Sequence, residues 1–113
     1  MVYILCPMSY YDQMLLVFES ETFKLWLTKL RDRVAVTRIT ARIRRLSNGN
    51  FGDCKYLRQS IHELRIDQGP GYRVYFMNQG NKIILLLAGG SKDTQDIDIE
   101  HAIRIAKAWS TET

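Results

Sequence analysis

Two arginines placed to face each other across a hairpin are the first chemistry this chain offers. Residues 61–67 and 72–77 alternate apolar and polar side chains, the pattern of half-buried strands, on either side of Gln68-Gly69-Pro70-Gly71. With the turn centred on Gly69, Ile66 faces Tyr72, Arg65 faces Arg73, Leu64 faces Val74 and Glu63 faces Tyr75. Leu64, Ile66, Tyr72, Val74 and Phe76 then share a core-facing side, and Glu63, Arg65, Arg73 and Tyr75 share an exposed side. A slip of one residue would spoil that sorting. Like charges directly opposite each other in a sheet cost up to about 1 kcal/mol. Two accounts of the pair stand side by side: Glu63 neutralises one arginine, or an anionic ligand lies between them. A guanidinium fork matches phosphate oxygens, and Tyr75 beside the pair offers a ring on which a base can stack.

Further cations have the same two kinds of account. Arg38, Arg42 and Arg45 recur at i, i+4 and i+7 and form one ridge on a helix, either a solvated face or a contact for a nucleic-acid backbone. Lys92 follows Gly89-Gly90-Ser91, a flexible loop that either carries an ordinary exposed lysine or brings a cation to the arginine pair. Asp93 and Asp96 read as residues stabilising the start of the last helix.

Proton-transfer groups are scarcer. His62 falls on the core-facing side opposite Phe76 and reads as a packing residue, and His101 reads as an exposed helical residue near Glu100 and Arg104. No Ser–His–Asp arrangement, carboxylate pair, metal-ligand spacing or phosphate-binding glycine motif is present. Cys6 and Cys54 have no metal-ligand spacing either. Neither a metal nor a cofactor is expected.

Charge distribution sharpens the picture. The net charge is +4 and the pI about 9.2. Between Lys24 and Arg58 there are ten basic residues, opposed only by Asp32 and Asp53, whereas Asp93, Asp96, Asp98 and Glu100 cluster near the end. A basic side of this kind suits a polyanionic partner. No stretch reaches the roughly 20 apolar residues that span a membrane. The first residues lack the basic region of a secretory signal. A cytoplasmic protein with reduced thiols is the expectation.

The elements that must position these groups are readable from periodicity. The 113 residues suit one domain. Residues 1–13 read as an N-terminal extension of uncertain order, ahead of a second possible start at Met14, and residues 14–113 as the domain. Residues 15–19 read as a strand. Ser20 caps a helix packing Phe23, Trp26, Leu27 and Leu30 inward. A second helix follows Asp32 with the stripe Val36, Ile39, Ile43 and Leu46, ending at Ser47-Asn48-Gly49. The short connection predicts an antiparallel helical hairpin. Residues 54–57 offer a short strand, and 83–88 a strand buried on both faces and broken by Gly89-Gly90. A last helix begins near Thr94 and packs through Ile99, Ala102, Ile103, Ala106 and Trp109. The order β-α-α-β-β-β-α predicts an α+β domain, a small curved antiparallel sheet with an N-terminal helical hairpin and a C-terminal helix.

These segments, in this order, resemble the RelE/ParE superfamily of toxins from type II toxin–antitoxin systems, and most of all its HigB-like addiction-module killer branch. The resemblance rests on Phe23-Lys24-Leu25-Trp26-Leu27, Ala41-Arg42-Ile43-Arg44-Arg45-Leu46, Gly49-Asn50-Phe51-Gly52-Asp53, Glu63-Leu64-Arg65-Ile66-Asp67, Gly69-Pro70-Gly71-Tyr72-Arg73-Val74-Tyr75-Phe76 and Leu85-Leu86-Leu87-Ala88-Gly89-Gly90-Ser91-Lys92-Asp93-Thr94-Gln95. It implies a RelE-like fold and a cognate antitoxin, usually a helix-turn-helix protein. It implies cleavage of mRNA on the ribosome, by attack of a ribose 2′-OH on the adjacent phosphate without a metal. DNA would be met only through the antitoxin, and no membrane is involved. Arg65, Arg73 and Lys92 match the family's phosphate-binding and transition-state-stabilising cations. Some relatives carry a tyrosine, or histidine and acidic residues, near the C-terminal end; here that region offers Asp93, Asp96 and His101, and no base is named. Two alternatives stand beside a nuclease: a ParE-like gyrase inhibitor, and a catalytically decayed RNA-binding homologue.

Overall fold

Ser20 and Asp32 start the first two helices by the same device. In the computed structural model, which describes residues 15–80 and 82–112 (side chains only as far as residue 109), each has an extended backbone and a side-chain oxygen accepting from the helix. Ser20 Oγ accepts from the Phe23 amide at 3.0 Å, and Asp32 Oδ1 from the Ala35 amide at 3.0 Å. Each such cap contributes about 1 kcal/mol. Helix α1 spans Glu21–Lys29 and α2 spans Arg33–Ser47. Gly49, with φ 85°, lets the chain leave α2 in the left-handed conformation. The expected extension, residues 1–13, lies outside the described residues.

Five strands follow the expected runs: β1 (Leu16–Glu19), β2 (Cys54–Arg58), β3 (Ile61–Ile66), β4 (Tyr72–Gln79) and β5 (Ile83–Ser91). A 3₁₀ turn, Lys92–Thr94, leads into helix α3, Gln95–Glu112. The domain is α+β, and its open sheet has the order β1-β5-β4-β3-β2. The expected antiparallel sheet is corrected to a mixed one, because β1 pairs with β5 in parallel. No hairpin joins β1 to its neighbour, so no turn enforces an antiparallel direction. Ser20 Oγ also donates to the Leu87 carbonyl at 2.6 Å, which fixes the start of α1 on β5.

Both faces of the sheet are covered. Phe23, Ile39 and Leu46 from the first two helices pack on Leu64, Ile66, Val74, Phe76, Ile84 and Leu86. Ile99, Ala102, Ile103 and Ala106 of α3 pack on Ile61, Tyr75, Met77, Leu85 and Leu87. The side expected to be exposed is therefore roofed by α3 over part of its length. Tyr75 has no exposed surface, which corrects its placement as a base-stacking ring. Alternation separates the two faces of a strand, but it does not say which of them a later helix will cover.

Gly89-Gly90 does not break the central strand. Instead, the two glycines admit side chains against β5. A Cβ on Gly89 would lie 2.3 Å from Trp26 Cε3, and one on Gly90 1.8 Å from Asp98 Oδ2. Glycine inside a strand often marks such an approach. Cys54 is disulfide-bonded, which corrects the expectation of reduced thiols at that position, since sequence spacing says nothing about approach in space. Cys6 lies outside the described residues. Among the described residues, no helix is long and apolar enough to cross a membrane.

Candidate functional site

The β3–β4 hairpin has the register that sorts its faces: Ile66 opposite Tyr72, Arg65 opposite Arg73, Leu64 opposite Val74, Glu63 opposite Tyr75. On its other side, Arg73 pairs with Gly90 of β5. The end of β5 then delivers Lys92, whose amide donates to the Gly71 carbonyl at 2.7 Å. Gly71, with φ 88°, sits where a Cβ would be 3.5 Å from Arg73 Nη1 and 3.7 Å from Lys92 Cβ. A side chain there would be strained by that backbone conformation, although it would only touch both cations.

Arg65, Arg73 and Lys92 line one open cleft of about 460 Å³, with Asp53, Ile66, Asp67 and the Gly69-Pro70-Gly71 turn completing its wall. Three cations that lie apart in sequence meet here. Each is held differently. Arg73 is 13% exposed, and its Nε lies 3.6 Å from Oε2 of Glu63, which is itself 3% exposed. The same Glu63 oxygen accepts from Gln95 Nε2 at 2.7 Å. Arg65 is more open; its Nη2 donates to Asp53 Oδ1 at 3.2 Å. Lys92 is exposed and makes no ion pair among the described residues. The first account of the facing arginines applies, since each lies beside a carboxylate. Carboxylates balance part of their charge, and the cleft they border opens to solvent.

The arginine ridge of α2 is not uniform. Arg42 is half-buried, donating from Nη1 to the Arg65 carbonyl at 2.6 Å and from Nη2 to the Asp53 carbonyl at 3.1 Å. It clamps the loop before β2 onto the end of β3, and so shapes the cleft wall from behind. Burial lowers its pKa from the ordinary guanidinium value; Asp53 opposes that shift and Arg45 adds to it. Gly52, with φ 63°, leaves it room, since a Cβ there would be 3.1 Å from Arg42 Nη2. Arg38 reaches the margin of the cleft, where Nη1 donates to the Asp67 carbonyl at 3.4 Å. Arg45 is exposed on the helix surface.

The remaining candidates lie elsewhere. His62 stacks on Phe76 (centroids 5.2 Å, planes 14° apart) with the Tyr56 ring edge-on at 5.3 Å. Burial lowers its pKa, favouring the neutral ring. His101 is half-buried on α3, and Asp93 and Asp96 are exposed but do not line the cleft. Tyr75 lies beneath α3 with its hydroxyl unpaired, and its pKa is raised, by burial first and then by Glu63 and Asp98. Sequence reasoning missed Asp53, Asp67 and Gln95. The i, i+2 spacing of Arg65 and Asp67 was the available signal for Asp67; Gln95 carried none.

The chemistry available is recognition of a phosphodiester or similar anion. Two planar forks and one ammonium can engage non-bridging oxygens from several directions.

No family model matches the chain. An uncharacterized protein of Haemophilus influenzae (strain ATCC 51907 / DSM 11121 / KW20 / Rd) is 52% identical to it over 86 residues, 76% of this chain and 87% of that protein.

Proposed function

We propose, from the premise that the chain belongs to the same family as this Haemophilus influenzae protein, that it is a type II toxin of the RelE/ParE kind. In this reading it is a cytoplasmic, ribosome-dependent mRNA endonuclease that blocks translation and is neutralised by a cognate antitoxin, a helix-turn-helix protein. One observation carries the reading: Arg65, Arg73 and Lys92 border a single open cleft. When a 2′-oxygen attacks the adjacent phosphate, negative charge grows on the non-bridging oxygens. Fixed cations aimed at that charge stabilise the transition state more than the ground state. The element order, two helices ahead of the main strands and one after them, supports reading the α+β domain as RelE-like. Arg38 and Arg45 would meet the backbone of the message or of ribosomal RNA.

Mapping RNA ends after induced expression tests this. Breaks should fall inside translated messages, and Arg65→Ala with Arg73→Ala should relieve growth arrest while the protein still folds. Arrested cells with intact transcripts would sink the proposal. A second reading, a gyrase inhibitor or a binding homologue without nuclease activity, draws on the cleft lining, which contains neither histidine nor tyrosine. Loss of supercoiling with normal translation would favour the gyrase inhibitor, and harmless overexpression of a folded protein the homologue without activity.

A further inference from the structure

We propose that the Asp67 carboxylate is the base that removes the 2′-hydroxyl proton in this cleft. The inference rests on the ribonuclease reading above. Two carboxylates line the cleft, Asp53 and Asp67, and their situations differ. Asp53 is committed, with its Oδ1 accepting from Arg65 at 3.2 Å and its carbonyl held by Arg42. Asp67 is exposed, and among the described residues its carboxylate has neither an ion pair nor a hydrogen bond. Its backbone is nonetheless anchored, because Arg38 donates to its carbonyl. Asp67 is the first residue after β3, at a tight turn in which the Gln68 amide donates to the Ile66 carbonyl at 3.0 Å, and it lines the same cleft as Arg65.

The other proton acceptors are occupied or remote. His62 is sandwiched between rings. Glu63 is buried beneath Arg73 and Gln95. The Tyr75 hydroxyl is enclosed under α3. Asp67 therefore joins an open position, an ionisable oxygen and an anchored backbone in the same wall as the cations.

The step balances within the cleft. The 2′-oxygen forms a bond to phosphorus as its proton passes to Asp67. The bond from phosphorus to the 5′-oxygen breaks, leaving a 2′,3′-cyclic phosphate. The departing 5′-oxygen takes a proton from the Lys92 ammonium, which regains one from water. Arg65 and Arg73 hold the non-bridging oxygens throughout.

The experiment is single-turnover cleavage of messages on programmed ribosomes by the full chain, as wild type, Asp67→Asn, Asp67→Glu and Asp93→Asn. Binding is measured alongside, using a message with a 2′-deoxy nucleotide at the cleaved position. Asp67 shares the cleft lining with Asp53, Arg65, Arg73 and Lys92, and Arg38 bonds its carbonyl. Asp67→Asn should cut about 10²-fold more slowly or worse, the usual contribution of a positioned base, with binding unchanged. Asp67→Glu should keep part of the activity, which separates loss of the base from loss of fold. Asp67→Asn cutting within threefold of wild type, or Asp93→Asn losing activity in its place, overturns the assignment. A wild-type protein that binds but never cuts overturns the ribonuclease reading itself, a distinct result.

Discussion

Glu63 lies buried directly behind Arg73, its Oε2 3.6 Å from the guanidinium Nε and also accepting from Gln95. Arg73 lines the cleft, whereas Glu63 does not. Removing Glu63 strands a guanidinium that is 13% exposed. Losing one partner of a buried pair costs about 3–5 kcal/mol. Glu63→Ala should lower stability by that order in urea titrations. A loss below 1 kcal/mol would mean that the pair contributes little to the fold.

Arg65 presents the opposite case. Its pairing with Asp53 is solvent-exposed on both sides, and exposed pairs contribute about 0–1 kcal/mol. Arg65→Ala should therefore leave the melting temperature nearly unchanged. It should weaken RNA binding and lower the salt dependence by about one phosphate contact. An unchanged salt slope would remove Arg65 from the interface.

Arg42 should behave as a clamp rather than a contact. Its two bonds to carbonyls involve a charged donor, each contributing about 1.5–3 kcal/mol. Arg42→Lys keeps the charge but cannot span both carbonyls with a planar fork. The expected result is a destabilised protein with faster amide exchange around Asp53. If Arg42→Lys is as stable as wild type, the residue belongs to the binding surface instead.

At Gly89 the neighbour is a rigid ring, with a Cβ position 2.3 Å from Trp26. Gly89→Ala should cost about 1–3 kcal/mol through overpacking, read as a lower melting temperature. A neutral substitution would show that α1 can shift away from the sheet.

His62 predicts the acid side of the stability curve. Burial lowers its folded pKa below the ordinary histidine value, so below that value the unfolded chain binds the proton more readily. Stability should be complete above about pH 6.5 and fall as pH drops from there toward the folded pKa. His62→Phe should flatten that slope. An unchanged slope would assign it to the carboxylates.

Much of this was legible in one dimension. Ser20 and Asp32 announced both helix starts because capping is local. The Arg65–Arg73 pairing followed from a two-residue period together with a turn centred on Gly69, since a slip of one residue mixes apolar and charged side chains. Tertiary structure decided what depends on distant contacts. Nothing local told β1 to run parallel to β5, or α3 to roof Tyr75 and Glu63. Nor did the ridge Arg38, Arg42 and Arg45 reveal that its middle member would turn to two carbonyls. Gly89-Gly90 read as a break because glycine is flexible, whereas Trp26 and Asp98, remote in sequence, make it a place of close approach. Periodicity assigns a side chain to a face, but only packing determines whether that face meets solvent, a helix or an anion.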